Sequence, residues 1–75
     1  MLFRVLITPK KGLLDPQGRA VEELLQEKGY KGVRNVRVGK VVLLEAENEE
    51  QVHEIAKKVL VNDLIEDYRV ERENP

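Results

Sequence analysis

Catalysis by a side chain needs a nucleophile or an acid–base group with a neighbour that activates it, and this chain contains few of the residue types involved. Cysteine and serine are absent, Thr8 is the only threonine and His53 the only histidine. One histidine without cysteine cannot assemble a zinc cluster. Neither a Gly-x-Gly-x-x-Gly turn nor a Walker-type loop occurs. Fourteen carboxylates remain as an acid–base pool, but most fall on the charged sides of helical patterns, where solvation is their expected role. His53 lies on such a side and reads as a solvated surface residue.

Two groups of residues stand apart from that pattern. The first is Asp15-Pro16-Gln17-Gly18. An aspartate at the N-cap accepts a hydrogen bond from a first-turn amide, and proline directly after it fills the first helical position without losing a bond. Gly18 is unexpected there, since glycine costs about 1 kcal/mol relative to alanine inside a helix. It marks either a frayed helix end or a place where another backbone comes close. The second group is Arg34, Arg37 and Lys40 around Gly39. Arginines on an open sheet face clamp carboxylates of a partner, or they stand as solvated edge charges that discourage aggregation, and the residues alone leave both readings open. Lys10 and Lys11, between Pro9 and Gly12, read as a solvated loop rather than a phosphate site.

The elements that must carry these groups follow from periodicity. Leu2 to Thr8 alternates as a strand, with Phe3, Val5 and Ile7 on one face and Leu2, Arg4, Leu6 and Thr8 on the other. A helix is predicted over 16–28, with Ala20, Val21, Leu24 and Leu25 as its apolar stripe and Gly29 as its stop. Val33 to Val38 reads as a short β-branched strand, broken at Gly39, and Val41 to Glu47 as a central strand apolar on both faces. Asn48 and Gln51 form a capping pair for a second helix, in which Val52, Ile55, Ala56, Val59 and Leu60 line one side. Ile65 to Glu71 reads as the last strand, with 73–75 as a frayed tail. The order is strand, helix, strand, strand, helix, strand. It predicts an α+β, ferredoxin-like fold, with a mainly antiparallel sheet and two helices on one face.

A single domain over 1–75 is expected. A chain of this size buries only about 60% of the surface it exposes when unfolded. Without a disulfide or a metal as a staple, support from a partner is expected. With both helices on one face, the sheet's other face, carrying Leu2 and Leu6, would remain apolar and uncovered. Thirteen basic residues against fourteen acidic ones, net charge −1, remove the electrostatic footprint of nucleic-acid binding. Three aromatic residues, Phe3, Tyr30 and Tyr68, are too few for a base-stacking sheet. No apolar run approaches the roughly 18 residues that span a bilayer, so a cytoplasmic protein is expected.

Three stretches carry a family resemblance: Lys11-Gly12-Leu13-Leu14-Asp15-Pro16-Gln17-Gly18, Val36-Arg37-Val38-Gly39-Lys40 and Leu64-Ile65-Glu66-Asp67-Tyr68. In this order, over nearly the whole chain, they resemble PurS, the small subunit of bacterial and archaeal phosphoribosylformylglycinamidine synthase. The resemblance implies a part in de novo purine synthesis, where an amide oxygen of formylglycinamide ribonucleotide is replaced by nitrogen. It implies no active site, cofactor or metal on this chain: ATP, Mg and glutamine are used by the partner subunits. The implied partners are a PurL-type synthetase, a PurQ-type glutaminase and further copies of the chain as a dimer or tetramer, with the small subunit bridging the larger two and supporting ammonia transfer. Asp15, Pro16, Gln17, Gly18, Arg37, Gly39 and Lys40 are the candidate assembly residues. A stand-alone regulatory dimer that binds a small molecule is the alternative.

Overall fold

The computed structural model describes residues 1–12 and 15–73. Strand β1 (Leu2–Pro9) leads to helix α1 (Pro16–Glu27), then strand β2 (Lys40–Glu45), helix α2 (Glu49–Ile55) and strand β3 (Glu66–Glu73). The sheet has the order β2-β1-β3, with both pairings antiparallel. The α+β, ferredoxin-like class therefore stands, with β1 as the central strand.

Register decides which face is core. Val5 lies opposite Val42 and Val70, Phe3 opposite Leu44, and Ile7 opposite Tyr68. Phe3, Val5 and Ile7 are fully buried, and Val52 and Ala56 of α2 are buried with them. On the reverse face Arg4 lies opposite Leu43 and Glu71, and Leu6 opposite Val41 and Arg69. The Arg4 and Arg69 guanidinium groups both reach the Glu71 carboxylate, at 2.9 and 3.0 Å. Beside those ion pairs, Leu43 is 61% exposed and Val41 is also exposed. This is the uncovered apolar face that the alternation of β1 predicts.

Four sequence expectations are corrected in detail. The segment 33–38 forms no strand. Asn35 has φ +56°, a left-handed conformation that asparagine tolerates, and it interrupts the β-branched run. Val41 to Glu47 is not a central strand, because β2 ends at Glu45 and occupies an edge of the sheet. Only α2 packs extensively on the sheet: of α1, only Gly18 is buried, and Leu24 is 52% exposed. Finally, α2 widens into a π-helical turn over Ala56–Leu60, closed by the Val61 amide donating to the Ala56 carbonyl at 2.9 Å. That turn carries Val59 out to 74% exposure and brings Val61 into the core instead.

At the ends, Glu73 belongs to β3 rather than to a tail, while Asn74 and Pro75 lie outside the described residues. His53 is half-buried rather than fully solvated. Its Nδ1 is 3.1 Å from the Tyr68 hydroxyl, which ties α2 to β3. The molecule measures 46 × 30 × 13 Å with a radius of gyration of 15.2 Å. A compact domain of this length would have a radius of about 11 Å. The excess reflects a helix standing away from the core.

Val5 sits under both neighbouring strands with no exposed surface. Truncation to alanine is expected to lower stability by about 2 kcal/mol, from the lost methyl groups and the cavity they leave. That corresponds to roughly 10 °C in Tm for a domain of this size. Thermal unfolding of Val5→Ala at fixed protein concentration checks it, and an unchanged Tm would contradict the placement of Val5 at the centre.

Candidate functional site

The 33–39 segment is laced to α1 by side chains. Asp15 caps the helix and accepts from the Gly18 amide at 3.1 Å through one oxygen and from the Val38 amide at 3.0 Å through the other. One helical face further along, Glu22 accepts from the Val36 amide at 3.0 Å, and the Gln26 amide group donates to the Val33 carbonyl at 2.7 Å. Positions 15, 18, 22 and 26 recur at i, i+3, i+7 and i+11, which puts them on one side of a helix. The segment is a strap running along that side. Its Val36 and Val38 amides are taken by carboxylates, so they are not available to a strand ladder, and this is the second reason why 33–38 is not a strand.

Gly18 lies beneath the strap. A Cβ at this position would overlap the Val36 carbonyl oxygen and the Asp15 carboxylate, and would meet the Arg37 Cα at 3.0 Å. The close backbone approach is therefore the reason for glycine. At the far end of the strap, a Cβ on Gly39 would overlap the Ile7 carbonyl oxygen, so the chain enters β2 pressed against β1. The break predicted at Gly39 falls at this junction.

The structure brings most of the candidate residues together. Asp15, Gln17, Gly39 and Lys40 line one open cleft of about 480 Å³, whose far wall is Ile65 and Glu66 of the β3 approach. Lys40 Nζ lies 4.0 Å from the Glu66 carboxylate. Arg37 points to the other side of Asp15, where its guanidinium donates to the Pro9 carbonyl at 3.0 Å. Pro16 is exposed at the start of α1, and Gly18 acts from underneath rather than at the surface. Arg34 is exposed and lines neither the cleft nor the Arg37 side. Leu13 and Leu14, within the stretch that carries the family resemblance, lie outside the described residues.

Sequence reading missed Glu22 and Gln26, which look like ordinary solvated helix residues. The signal was their i+7 and i+11 spacing from Asp15. Among the described residues no cluster of His, Cys, Asp or Glu suits a metal ion, and no helix is long and apolar enough to cross a membrane. What the arrangement does is hold backbone: two carboxylates and one carboxamide fix a polar strap and leave the opposite side of α1, with Val21 and Leu24, exposed.

The comparisons with known proteins agree on one family. The family model for PurS, phosphoribosylformylglycinamidine (FGAM) synthase, matches residues 2–74. A Methanocaldococcus jannaschii protein named phosphoribosylformylglycinamidine synthase subunit PurS is 39% identical, over 92% of this chain and 90% of its own. The solved structure of Bacillus subtilis PurS in a C2 crystal form superposes with a TM-score of 0.83 at 38% identity, covering 97% of this chain and 98% of that one. A chain in the structure of PurLQS from Thermotoga maritima superposes with a TM-score of 0.73 at 33% identity, covering 95% and 96%.

Two outcomes test the lacing. Gly18→Ala is expected to push the strap off α1, so that the Val36 and Val38 amides exchange with solvent faster while those of β1 keep their protection; unchanged strap protection would contradict the close approach. The second concerns pH. The Asp15 carboxyl is held below its ordinary value of 3.8, chiefly by the Gly18 amide, next by the Val38 amide, then by the Gln17 amide and the Arg37 charge, with desolvation opposing. A depressed folded-state value means that the stabilisation is whole well above pH 3.8 and is lost as pH falls below it. Asp15→Asn cannot titrate, so its Tm is expected to fall less than the parent's between neutral pH and pH 3.

Proposed function

This chain belongs to the PurS family, and from that premise we propose that it is the non-catalytic subunit that bridges the PurL-type and PurQ-type subunits of phosphoribosylformylglycinamidine synthase in purine biosynthesis. It binds no cofactor of its own in this reading; ATP, Mg and glutamine are handled by the partners, in the cytoplasm. The PurLQS structure of Thermotoga maritima, in which a chain of this fold occurs, supports the choice of partners.

One observation carries the bridging role: a short chain leaves two separate apolar surfaces uncovered. The stripe of α1, with Val21 and Leu24, faces away from the strap, and Val41 and Leu43 lie on the open face of the sheet. Exposed apolar surface of this extent on a small domain marks interaction sites. A second copy of the chain covers the open sheet face, where β2 also offers an unpaired edge. The strap and its cleft, with Asp15, Gln17, Arg37, Gly39 and Lys40, then meet the larger subunits, while Pro16 and Gly18 keep the helix start in place. The mechanism is alignment. Ammonia released from glutamine on one large subunit reaches the amidation site of the other without loss to water when a bridge holds the two sites in register.

The experiment is amidation of formylglycinamide ribonucleotide by matched PurL-type and PurQ-type subunits with and without this chain, driven by glutamine or by ammonium chloride. Glutamine-driven turnover is expected to require the chain, and ammonia-driven turnover to be largely independent of it. Equal glutamine-driven turnover without the chain would overturn the bridging role. For self-association, Leu43→Glu is expected to shift the chain to monomer in sedimentation, and an unshifted species would remove the open sheet face as the contact between copies.

A further inference from the structure

We infer that the cleft on the Arg37 side of Asp15 is a docking site for an acidic segment of a protein partner. The inference rests on the assembly role proposed above and specifies the chemistry of one contact within it. The cleft, of about 750 Å³, is bordered by Lys10 and Lys11 from the turn after β1, Asp15 at the cap of α1, Arg19 and Glu22 from α1, and Asn35 and Arg37 from the strap. Four cations thus stand around one opening on a chain whose net charge is −1.

The two carboxylates in the cleft offset part of this charge but leave cations in excess, and both are engaged by backbone amides. Asp15 is held by the amides of Gly18 and Val38, and Glu22 by that of Val36. Asp15 Oδ2 and Glu22 Oε1 accept from the strap backbone, and Asp15 Oδ1 from the first turn of α1. The cations are differently placed. Arg37 uses one nitrogen on the Pro9 carbonyl, which fixes its guanidinium at the rim and leaves its other donors open. Arg19 lies 3.6 Å from Glu23, an exposed i, i+4 pair that contributes little and is readily exchanged for a better partner. Lys10 is paired with Asp67 across to β3. Lys11 has no ion pair or side-chain hydrogen bond among the described residues, and it is exposed beside Gly12.

These charges sit on three different segments around an open depression. A phosphate group wants convergent donors and would approach the Asp15 and Glu22 carboxylates. A peptide with separated carboxylates fits better: each acid side chain meets Lys11, Arg19 or Arg37 at the rim, with charge-assisted and, for arginine, bidentate geometry. The polar rim also suits a contact whose role is orientation and speed of assembly, since charge complementarity steers encounter.

The test measures binding of each larger subunit to the full-length chain by calorimetry, at low and at high salt, with Lys11→Glu/Arg19→Glu set against the control Lys57→Glu/Lys58→Glu. The control changes net charge equally on the π-helical turn that follows α2. Circular dichroism establishes that both variants are folded. The cleft variant is expected to bind one of the larger subunits about ten to a hundred times more weakly and with a shallower salt dependence, and the control to bind normally. Equal weakening by both variants would show a general charge effect and overturn the site. Normal binding by the cleft variant would overturn the docking proposal and leave the assembly role standing. Failure of the unmutated chain to bind either subunit would overturn both. Titration with inorganic phosphate supplies the last arm: saturable binding that Lys11→Glu/Arg19→Glu abolishes, together with normal subunit binding by that variant, would assign the cleft to a small anion instead.

Discussion

The fold depends on one carboxylate that serves two masters. Asp15 completes the first turn of α1 through Gly18 and at the same time holds the strap through Val38. That double acceptance matters because α1 packs little on the sheet, with only Gly18 buried among its residues. The rest of the lacing, Glu22 to Val36 and Gln26 to Val33, extends a contact that Asp15 begins. Gly18 is the steric counterpart of the same interaction: the amides reach the carboxylates only because no side chain stands between helix and strap. A polar contact thus positions the helix, and the apolar side of that helix is left exposed.

This division of labour explains the shape. The core proper is small: three residues of the central strand β1, two of α2 and Val61, with the inward side chains of β2 and β3 packed against it. It stabilises the sheet and α2 but does not extend to α1. A single chain that spreads to 46 Å around so small a core has traded self-sufficiency for surface. For the bridging role proposed above, extended surface is the useful property. The same reasoning accounts for the two sides of the sheet. One is closed by α2, and the other combines the Arg4–Glu71–Arg69 ion pairs with exposed Val41 and Leu43.

Local signals in the sequence proved reliable where the physics was local. Alternation in β1 identified its buried face residue by residue, and the Asp15-Pro16 and Asn48-Gln51 pairs located both helix starts. The family was legible too, in three short motifs, and much of the candidate site lies within them. Legibility failed where a residue's role depends on something distant. Val33 to Val38 has every β-branched feature of a strand, yet its amides belong to Asp15 and Glu22, and Asn35 turns it. Val59 fits the apolar stripe of α2, yet a widened turn excludes it. His53 has the neighbours of a surface residue, yet it meets Tyr68 from a strand that comes fifteen residues later.

By itself, then, the sequence determined the α+β pattern, the caps, the inward face of β1, the absence of cysteine and serine, and the family. These are properties of composition and of neighbours within a turn or two of chain. Only the tertiary structure decided that α1 stands off the sheet, that the strap replaces a strand, and that Lys11, Arg19 and Arg37 surround one cleft. The physical reason is that an amide has one hydrogen to donate. Whether Val36 and Val38 give theirs to a neighbouring strand or to carboxylates on a helix depends on which acceptor the folded chain brings within 3 Å.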